Sequence, residues 1–394
     1  MKIGMILDNV YPPDPRVENE AIELIKGGHD VFLFCLTYNN QSLKEEVKKI
    51  KVRRYKSSKL EYKLSALAYT VPFYTIMMKR KIKDFIISNE IEALHCHDIR
   101  VAEAVFSANK EFNLPVVLDL HDNLPENMKF YPHLQKFPGK YIISPKRWKQ
   151  KEAIFLKKAT NVLTVSQEFV DQLKERVENP DKVLLVPNTI NKSFYENAKI
   201  DESIIERYKN NFVVLYLGDT NVRRGLLTAI NAVPELIKTI PNFKLVIVGS
   251  NTTDTVLKSR AKTLGVNDYI DFEGWQDLTL FPSYILTSSI CISPLRRSIQ
   301  HDVAYANKIF QYMGFGKPLV VSNATAQQKL IEKYNSGLVH EERNSEDFSE
   351  KILTLYNDQE LRVKLGENGQ NFVRNHFVWE ITAKTLIDLY HSLS

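Results

Sequence analysis

Short runs rich in Val, Ile and Leu alternate along this chain with longer segments whose apolar residues recur at helical spacing, the pattern of parallel strands joined by helices. In the first half the runs are 2–7 (KIGMIL), 30–36 (DVFLFCL), a short one near 51–55, 92–97 (EALHCH), 115–120 (PVVLDL), 161–166 (NVLTVS) and 182–187 (KVLLVP). A helix is expected after Pro15, ended by Gly27 and Gly28 where a left-handed cap is needed, and a long helix is expected through 62–88. The second half starts afresh with 211–218 (NFVVLYLG), 243–249 (FKLVIVG), 269–274 (YIDFEG), 289–294 (SICISP) and 317–322 (KPLVVS). Between the halves, 188–203 is polar, lacks strand period and reads as a linker. The prediction is an α/β protein of two doubly wound, Rossmann-like domains facing across a cleft, 1–190 and 204–375. Ligands of such sheets sit beyond the carboxyl ends of the strands.

Composition adds exclusions. The 394 residues, 44% hydrophobic and 25% charged, suit two or three globular domains and rule out wholesale disorder. Cys35, Cys96 and Cys291 are far apart and odd in number, so neither a disulfide framework nor a paired-cysteine zinc site is expected. The amino-terminal apolar run is too short for a signal peptide and no apolar run is long enough to span a bilayer, so a cytoplasmic protein is expected. The net charge of +6 is unevenly spread: residues 44–83 carry 13 Lys/Arg against 3 Asp/Glu, and 129–158 carry 9 against 1. Basic surface confined to two stretches points to an anionic partner.

The chemistry-bearing residues follow the apolar runs. After 211–218 comes GDTNVRRG (218–225) and then a helix, so Gly218, Arg223 and Arg224 with a helix N-terminus make a candidate phosphate site. In HDVAYANKIFQYMGFGKPLVVS (301–322) a helix from about Asn307 puts Lys308 and Gln311 on one face, a cation for phosphate and an amide for sugar or ribose hydroxyls. Taken singly, a solvated turn and an ordinary amphipathic helix explain these segments as well. Their pairing strengthens the site.

These segments resemble the retaining, nucleotide-sugar-dependent glycosyltransferases of group 1, or family 4, with the two-domain GT-B fold. The likeness runs through PPDPRVENEAIELIKGGHDV (12–31), DLHDNLPE (119–126), VPN (186–188), YLG…RRG (216–225), HDVAYANKIFQYMGFGKPLV (301–320) and a final helix after HFVW (376–379). The resemblance implies that this final helix, about 376–394, crosses back onto the first domain. It implies donor-binding roles for Gly218, Arg223, Arg224, Gly249, Trp275, Asn307, Lys308 and Gln311. His121, Arg224 and Lys308 would be catalytic, and Arg16, Asp98 and Asp122 would bind the glycosyl acceptor. The scheme needs neither cofactor nor metal. The chain departs from the family where Gln311 and Val303 replace a pair of glutamates, where Asp219 follows the strand-end glycine and would repel diphosphate unless it turns away, and where Thr189 follows VPN. Losing a carboxylate from two ribose hydroxyls weakens binding by about 1–3 kcal/mol.

HCHD (95–98) and DLHD (119–122) allow a rival reading in which His95, His97, Asp98, His121 and Asp122 surround a metal. Against it, His95 is expected to be buried and to face away from His97 across the strand, which favours a polar sugar-binding lining. The basic stretches interleave lysines with Tyr131, Phe137, Tyr141 and Trp148, which suits an anionic membrane surface on the inner face of the cell membrane and a lipid-linked glycosyl acceptor. No nucleic-acid-binding module is recognisable. The expected activity is transfer of a hexosyl group in polysaccharide or glycolipid assembly. The alternative is a non-catalytic sugar-nucleotide or glycan-binding partner of the same fold.

Overall fold

The computed structural model describes residues 1–131 and 134–394. The chain divides into two compact units, Met1–Pro187 with Ala383–Ser394, and Asn188–Thr382. The polar stretch 188–203 therefore folds with the second unit instead of standing apart as a linker. Only the last twelve residues, from Ala383 rather than from about 376, belong to the first.

The first unit is built on an eight-stranded sheet: β1 Lys2–Val10, β2 Asp30–Thr37, β3 Lys44–Val47, β4 Ile50–Lys56, β5 Ala93–His97, β6 Val116–Leu120, β7 Asn161–Thr164 and β8 Val183–Leu185. Their spatial order is β3-β4-β2-β1-β5-β6-β7-β8, all parallel except β3 against β4. That exception was not legible. The turn between β3 and β4 holds Lys48 and Lys49 at φ 51° and 70°, where the usual Asn-Gly signal is missing. The strand order reverses between β1 and β5, so Asp8, His97 and Asp98 fall at a switch point.

Asp14 caps the helix Pro15–Lys26, which buries Val17, Ala21 and Leu24. Gly27 ends it at φ −71°, and Gly28 alone takes the left-handed conformation, φ 86°. The last helix, Lys384–Ser392, buries Leu386, Leu389 and Tyr390 within this unit, and its His391 Nε2 lies 3.0 Å from the Gly27 carbonyl oxygen. The long helix expected over 62–88 is two helices, Lys59–Ser65 and Phe73–Asn89. Pro72 sets the break, because it lacks an N–H and disfavours a helical residue before it.

The second unit has a six-stranded parallel sheet, β11-β10-β9-β12-β13-β14, from β9 Phe212–Leu217, β10 Phe243–Val248, β11 Ile270–Gly274, β12 Ile290–Ser293, β13 Leu319–Ser322 and β14 Gly337–His340. Both faces of β9 are covered: Phe212, Val214 and Tyr216 enter one apolar cluster, and Val213, Leu215 and Leu217 the other. This is why the strand reads as an unbroken apolar run. The switch point lies between β9 and β12. β14, a four-residue edge strand ending in His340, carried too short a run to be noticed.

Candidate functional site

At the carboxyl end of β9 three glycines bring backbone against backbone. Gly218, Gly249 and Gly225 have φ of 108°, 139° and 78°. A Cβ on Gly249 would stand 1.9 Å from the Gly218 carbonyl oxygen, and one on Gly225 would stand 1.6 Å from that of Pro294. Only glycine fits either place. The loops after β9, β10 and β12 are thus drawn together, and the Gly249 N–H is bonded to the Gly274 oxygen at 2.7 Å.

Three cationic side chains, Arg223, Arg224 and Lys308, stand on the loops drawn together there. Arg223 and Arg224 lie on a 3₁₀ turn whose backbone leads into the helix Leu226–Thr239. Lys308 begins the helix Lys308–Gly314, and its Nζ sits 3.4 Å from the Tyr216 ring centroid. The Tyr216 hydroxyl donates to the Asp219 carbonyl oxygen at 2.6 Å, which fixes the ring beneath the lysine. Burial, with the Arg224 charge added, pushes the Lys308 amino group well below the ordinary lysine range. Arg296, in the loop after β12, donates its backbone N–H to the Arg223 carbonyl oxygen at 3.1 Å.

Asp219 was expected to repel an anion. It is instead engaged: its carboxylate accepts from the Asn221 N–H at 3.1 Å, Asn251 Nδ2 at 2.7 Å and Arg224 Nε at 3.2 Å. Against the desolvation that opposes its charge, these partners hold it below the usual carboxylate range. Asn307 is exposed at the start of the Lys308 helix, and Gln311 is half-buried one turn on. Trp275 follows β11 with its side chain 74% exposed.

His301 was not singled out from the sequence. It is buried, and its Nδ1 lies 2.6 Å from the Arg296 carbonyl oxygen.

In the first unit the expected glycosyl-acceptor and catalytic residues meet at the ends of β5 and β6. Asp119 is fully buried. Arg16 grips it with Nε at 2.8 Å and Nη2 at 2.5 Å, and Arg16 Nη1 reaches the Val186 carbonyl oxygen at 3.1 Å. Arg16 Nη2 also lies 2.9 Å from Glu20. Arg16, expected to meet a glycosyl acceptor, is itself buried and engaged with these groups. His121 Nδ1 lies 3.4 Å from Asp119 and its Nε2 3.1 Å from Asp98. Against its burial, Asp98 and Asp119 raise the His121 pKa well above the ordinary histidine value. Asp119, against its own burial, is held well below the carboxylate range by Arg16, His121 and His97. Asp122 is half-buried in the loop that follows.

His95 and His97 share one face of β5, as residues two apart on a strand must, and their rings lie 4.5 Å apart; the opposite-face expectation is corrected. Among the described residues, Glu20, His95, His97 and Asp119 bring ligand-type atoms within 4.8 Å of one another. Arg16 already contacts both carboxylates, so a metal ion there would have to displace a guanidinium. His121, Asp98 and Asp122 are not in this set.

The family model described as "Glycosyl transferases group 1" matches residues 197–372, and that described as "Glycosyltransferase Family 4" matches 16–194. An uncharacterized glycosyltransferase of Methanocaldococcus jannaschii is 24% identical over 98% of this chain and 96% of its own. A GDP-mannose-dependent phosphatidylinositol monomannoside mannosyltransferase of Mycobacterium tuberculosis is 24% identical over 42% of this chain and 44% of its own. Among solved structures, sucrose-phosphate synthase of Thermosynechococcus elongatus superposes with a TM-score of 0.80 at 17% identity, covering 100% of this chain and 98% of its own. Anabaena HepE in complex with UDP and glucose superposes at 0.74 and 16%, covering all of both chains. These structures share the GT-B fold with this chain.

Asp119→Asn would leave Arg16 buried beside a neutral amide, and urea unfolding should show a loss of about 3–5 kcal/mol; a loss under about 1 kcal/mol contradicts the buried pair. The His121 pKa is raised in the fold, so its ion pairs stabilise fully below about pH 6.5 and fade as pH rises through the raised value. Unfolding free energy should therefore fall across that window in the wild type, and His121→Gln should remove this part of the slope. Superimposable pH profiles refute it.

Proposed function

Because the chain belongs to the group 1 / family 4 glycosyltransferases, we propose that it moves a hexosyl group from a nucleotide-sugar donor, with retention, to a glycan or lipid-linked glycosyl acceptor in polysaccharide or glycolipid assembly. The observation that carries this reading is the Lys308 amino group held against Gly218 and the Tyr216 ring beside Arg224, with Asp219 the one carboxylate within ion-pair distance of either among the described residues. Such an excess of positive charge next to bare backbone and a helix N-terminus fits a diphosphate. The UDP complex of HepE and the GDP-mannose dependence of the mycobacterial relative support a nucleoside diphosphate of one base or another.

In this scheme the bond from the anomeric carbon to the diphosphate breaks, and the new bond to the incoming hydroxyl forms on the same face. The leaving diphosphate oxygen takes the hydroxyl proton. Arg224 and Lys308 stabilise the charge on the diphosphate as it departs, while Arg223, Gly249, Asn307 and Gln311 hold the donor and Trp275 offers an exposed face for the base. Two side-chain cations take the neutralising role, so the scheme calls for no metal. On the first unit we assign His121 to the sugar and Asp98 and Asp122 to the glycosyl acceptor. Both ring nitrogens of His121 face carboxylates, so its backbone carbonyl is the group left to stabilise positive charge.

We place the glycosyl acceptor at an anionic membrane surface. Thr70 Oγ1 donates to the Ile142 carbonyl oxygen at 2.9 Å and Arg147 Nη1 to that of Tyr69 at 3.3 Å, so the two basic stretches form one surface. Phe73, Phe137 and Tyr141 are exposed on it among Lys63, Lys136 and Lys140. No helix among the described residues is long and apolar enough to cross a membrane.

A non-catalytic binding role is the second reading, favoured by the Asp219–Arg224 pair, which spends part of the positive charge within the fold. Sustained product formation by the wild-type protein would eliminate it.

Thermal-shift titration with UDP, GDP, ADP and CMP should single out one nucleotide, with about 2.7 kcal/mol of stabilisation at 100 times Kd. Arg224→Ala and Lys308→Ala should each weaken it at least tenfold. Because Lys308 is held neutral more readily than an exposed lysine, binding should draw in a proton and weaken as pH rises; pH-independent binding would count against its contact with the diphosphate. In flotation assays the protein should associate with vesicles containing phosphatidylglycerol and not with pure phosphatidylcholine, the association falling with salt and in a Phe137→Ser/Tyr141→Ser variant. Equal binding to both vesicles, or to neither, removes the membrane from the scheme.

A further inference from the structure

We infer that His301 selects the sugar of the donor, its Nε2 accepting a hydrogen bond from a sugar hydroxyl beside the diphosphate. This rests on the donor-site reading above and goes beyond it by assigning the group that tells a sugar nucleotide from a bare nucleotide.

The loop after β12 gives His301 little freedom. Ser298 Oγ accepts the His301 backbone N–H at 3.1 Å. The ring Nδ1 faces the Arg296 carbonyl oxygen at 2.6 Å, and a carbonyl can only accept, so Nδ1 carries the proton. The same Arg296 donates its N–H to the Arg223 carbonyl oxygen, which ties the histidine to the Arg223–Arg224 turn. From behind, Ser322 Oγ donates to the Leu295 carbonyl oxygen at 2.6 Å, and Gln327 Nε2 bonds the Ser293 and Ser322 carbonyl oxygens at 3.0 and 2.9 Å. The loop is therefore clamped on both sides.

With Nδ1 as donor, Nε2 is a lone pair, and it has no hydrogen-bond partner among the described residues. Burial, followed by the charges of Arg224 and Arg223, opposes protonation and lowers the imidazole pKa to about 4 against the bond to Arg296. A lone pair placed among arginines is of no use to a phosphate oxygen, which has only lone pairs of its own. Its complement is an O–H group, and a diphosphate bound at the adjacent arginines brings a hydroxyl-bearing ring with it. The nucleotide's ribose is the other source of hydroxyls, and the test separates the two.

Dissociation constants are measured calorimetrically for UDP with UDP-glucose and for GDP with GDP-mannose, on the wild type, His301→Asn and His301→Gln. Asn keeps an amide N–H for the Arg296 carbonyl and removes the lone pair. It should weaken the sugar nucleotide about tenfold and leave the free diphosphate within about twofold. Gln extends an amide oxygen to where Nε2 stands and should recover part of the loss. Equal weakening of both ligands in His301→Asn assigns the contact to ribose and overturns the inference, as does no change in either. If the wild type binds none of the four ligands, the donor-site reading fails and this inference falls with it.

Discussion

The second unit turns on an encounter between two strand ends, where the Gly218 carbonyl oxygen lies 1.9 Å from where a Gly249 side chain would begin. Parallel neighbours lie about 4.8 Å apart, but these loops close further because neither carries a Cβ and both take positive φ. The same is true one strand over, where Gly225 meets the Pro294 carbonyl oxygen. Bare backbone at this edge lets the Lys308 chain pass within 3.6 Å of where a Gly218 Cβ would stand, and it seats the arginine turn against the β12 loop. Without these approaches the cations would be ordinary surface side chains, each solvated alone and worth little to an anion.

The two units handle charge in opposite ways. In the first, Arg16 and His121 are set against Asp119, Glu20 and Asp98 at 2.5–3.4 Å, so each cation there has carboxylate partners within the fold. Buried charge without such matching costs several kcal/mol, and a closed network of this kind chiefly fixes geometry. In the second, Asp219 answers Arg224, while burial and a neighbouring cation both act against charge on Lys308. Half-buried positive charge of this sort is stabilised by whatever anion arrives, so the fold leaves the electrostatic deficit where the strand order reverses.

Much of this could be read from the chain, for physical reasons. Strands covered on both faces leave unbroken apolar runs, so every central strand was visible. The strands that the pattern hides, β3 and β14, are four-residue edge strands, the first mostly charged and the second with only two adjacent apolar residues. Pro72 was visible too, but one helical pattern continuing on both sides of it masked the break between Ser65 and Phe73. At the site, Arg224 is legible by its charge in the loop after a strand, and Lys308 by its charge on one helix face with Gln311. The pairing of Asp219 is hidden in the sequence because its partner Asn251 lies in another loop, 32 positions on. His301 is not legible in the sequence because its tautomer depends on a backbone carbonyl, and no residue pattern records where a carbonyl points.

The neutral side chains at 301 and 311 then make sense together. A carboxylate accepts a hydroxyl hydrogen more strongly than an amide or imidazole, about 1.5–3 kcal/mol against about 0.5–1.5. A second negative charge about 6 Å from a diphosphate charge, at an effective dielectric of about 20, costs about 3 kcal/mol. The two effects are of similar size, so an acceptor without charge gives up little net affinity. It also adds no carboxylate beyond Asp219 beside Lys308 and Arg224. In the proposed roles, Gln311 and His301 accept hydroxyl hydrogens without setting a further negative charge beside Lys308 and the arginine turn.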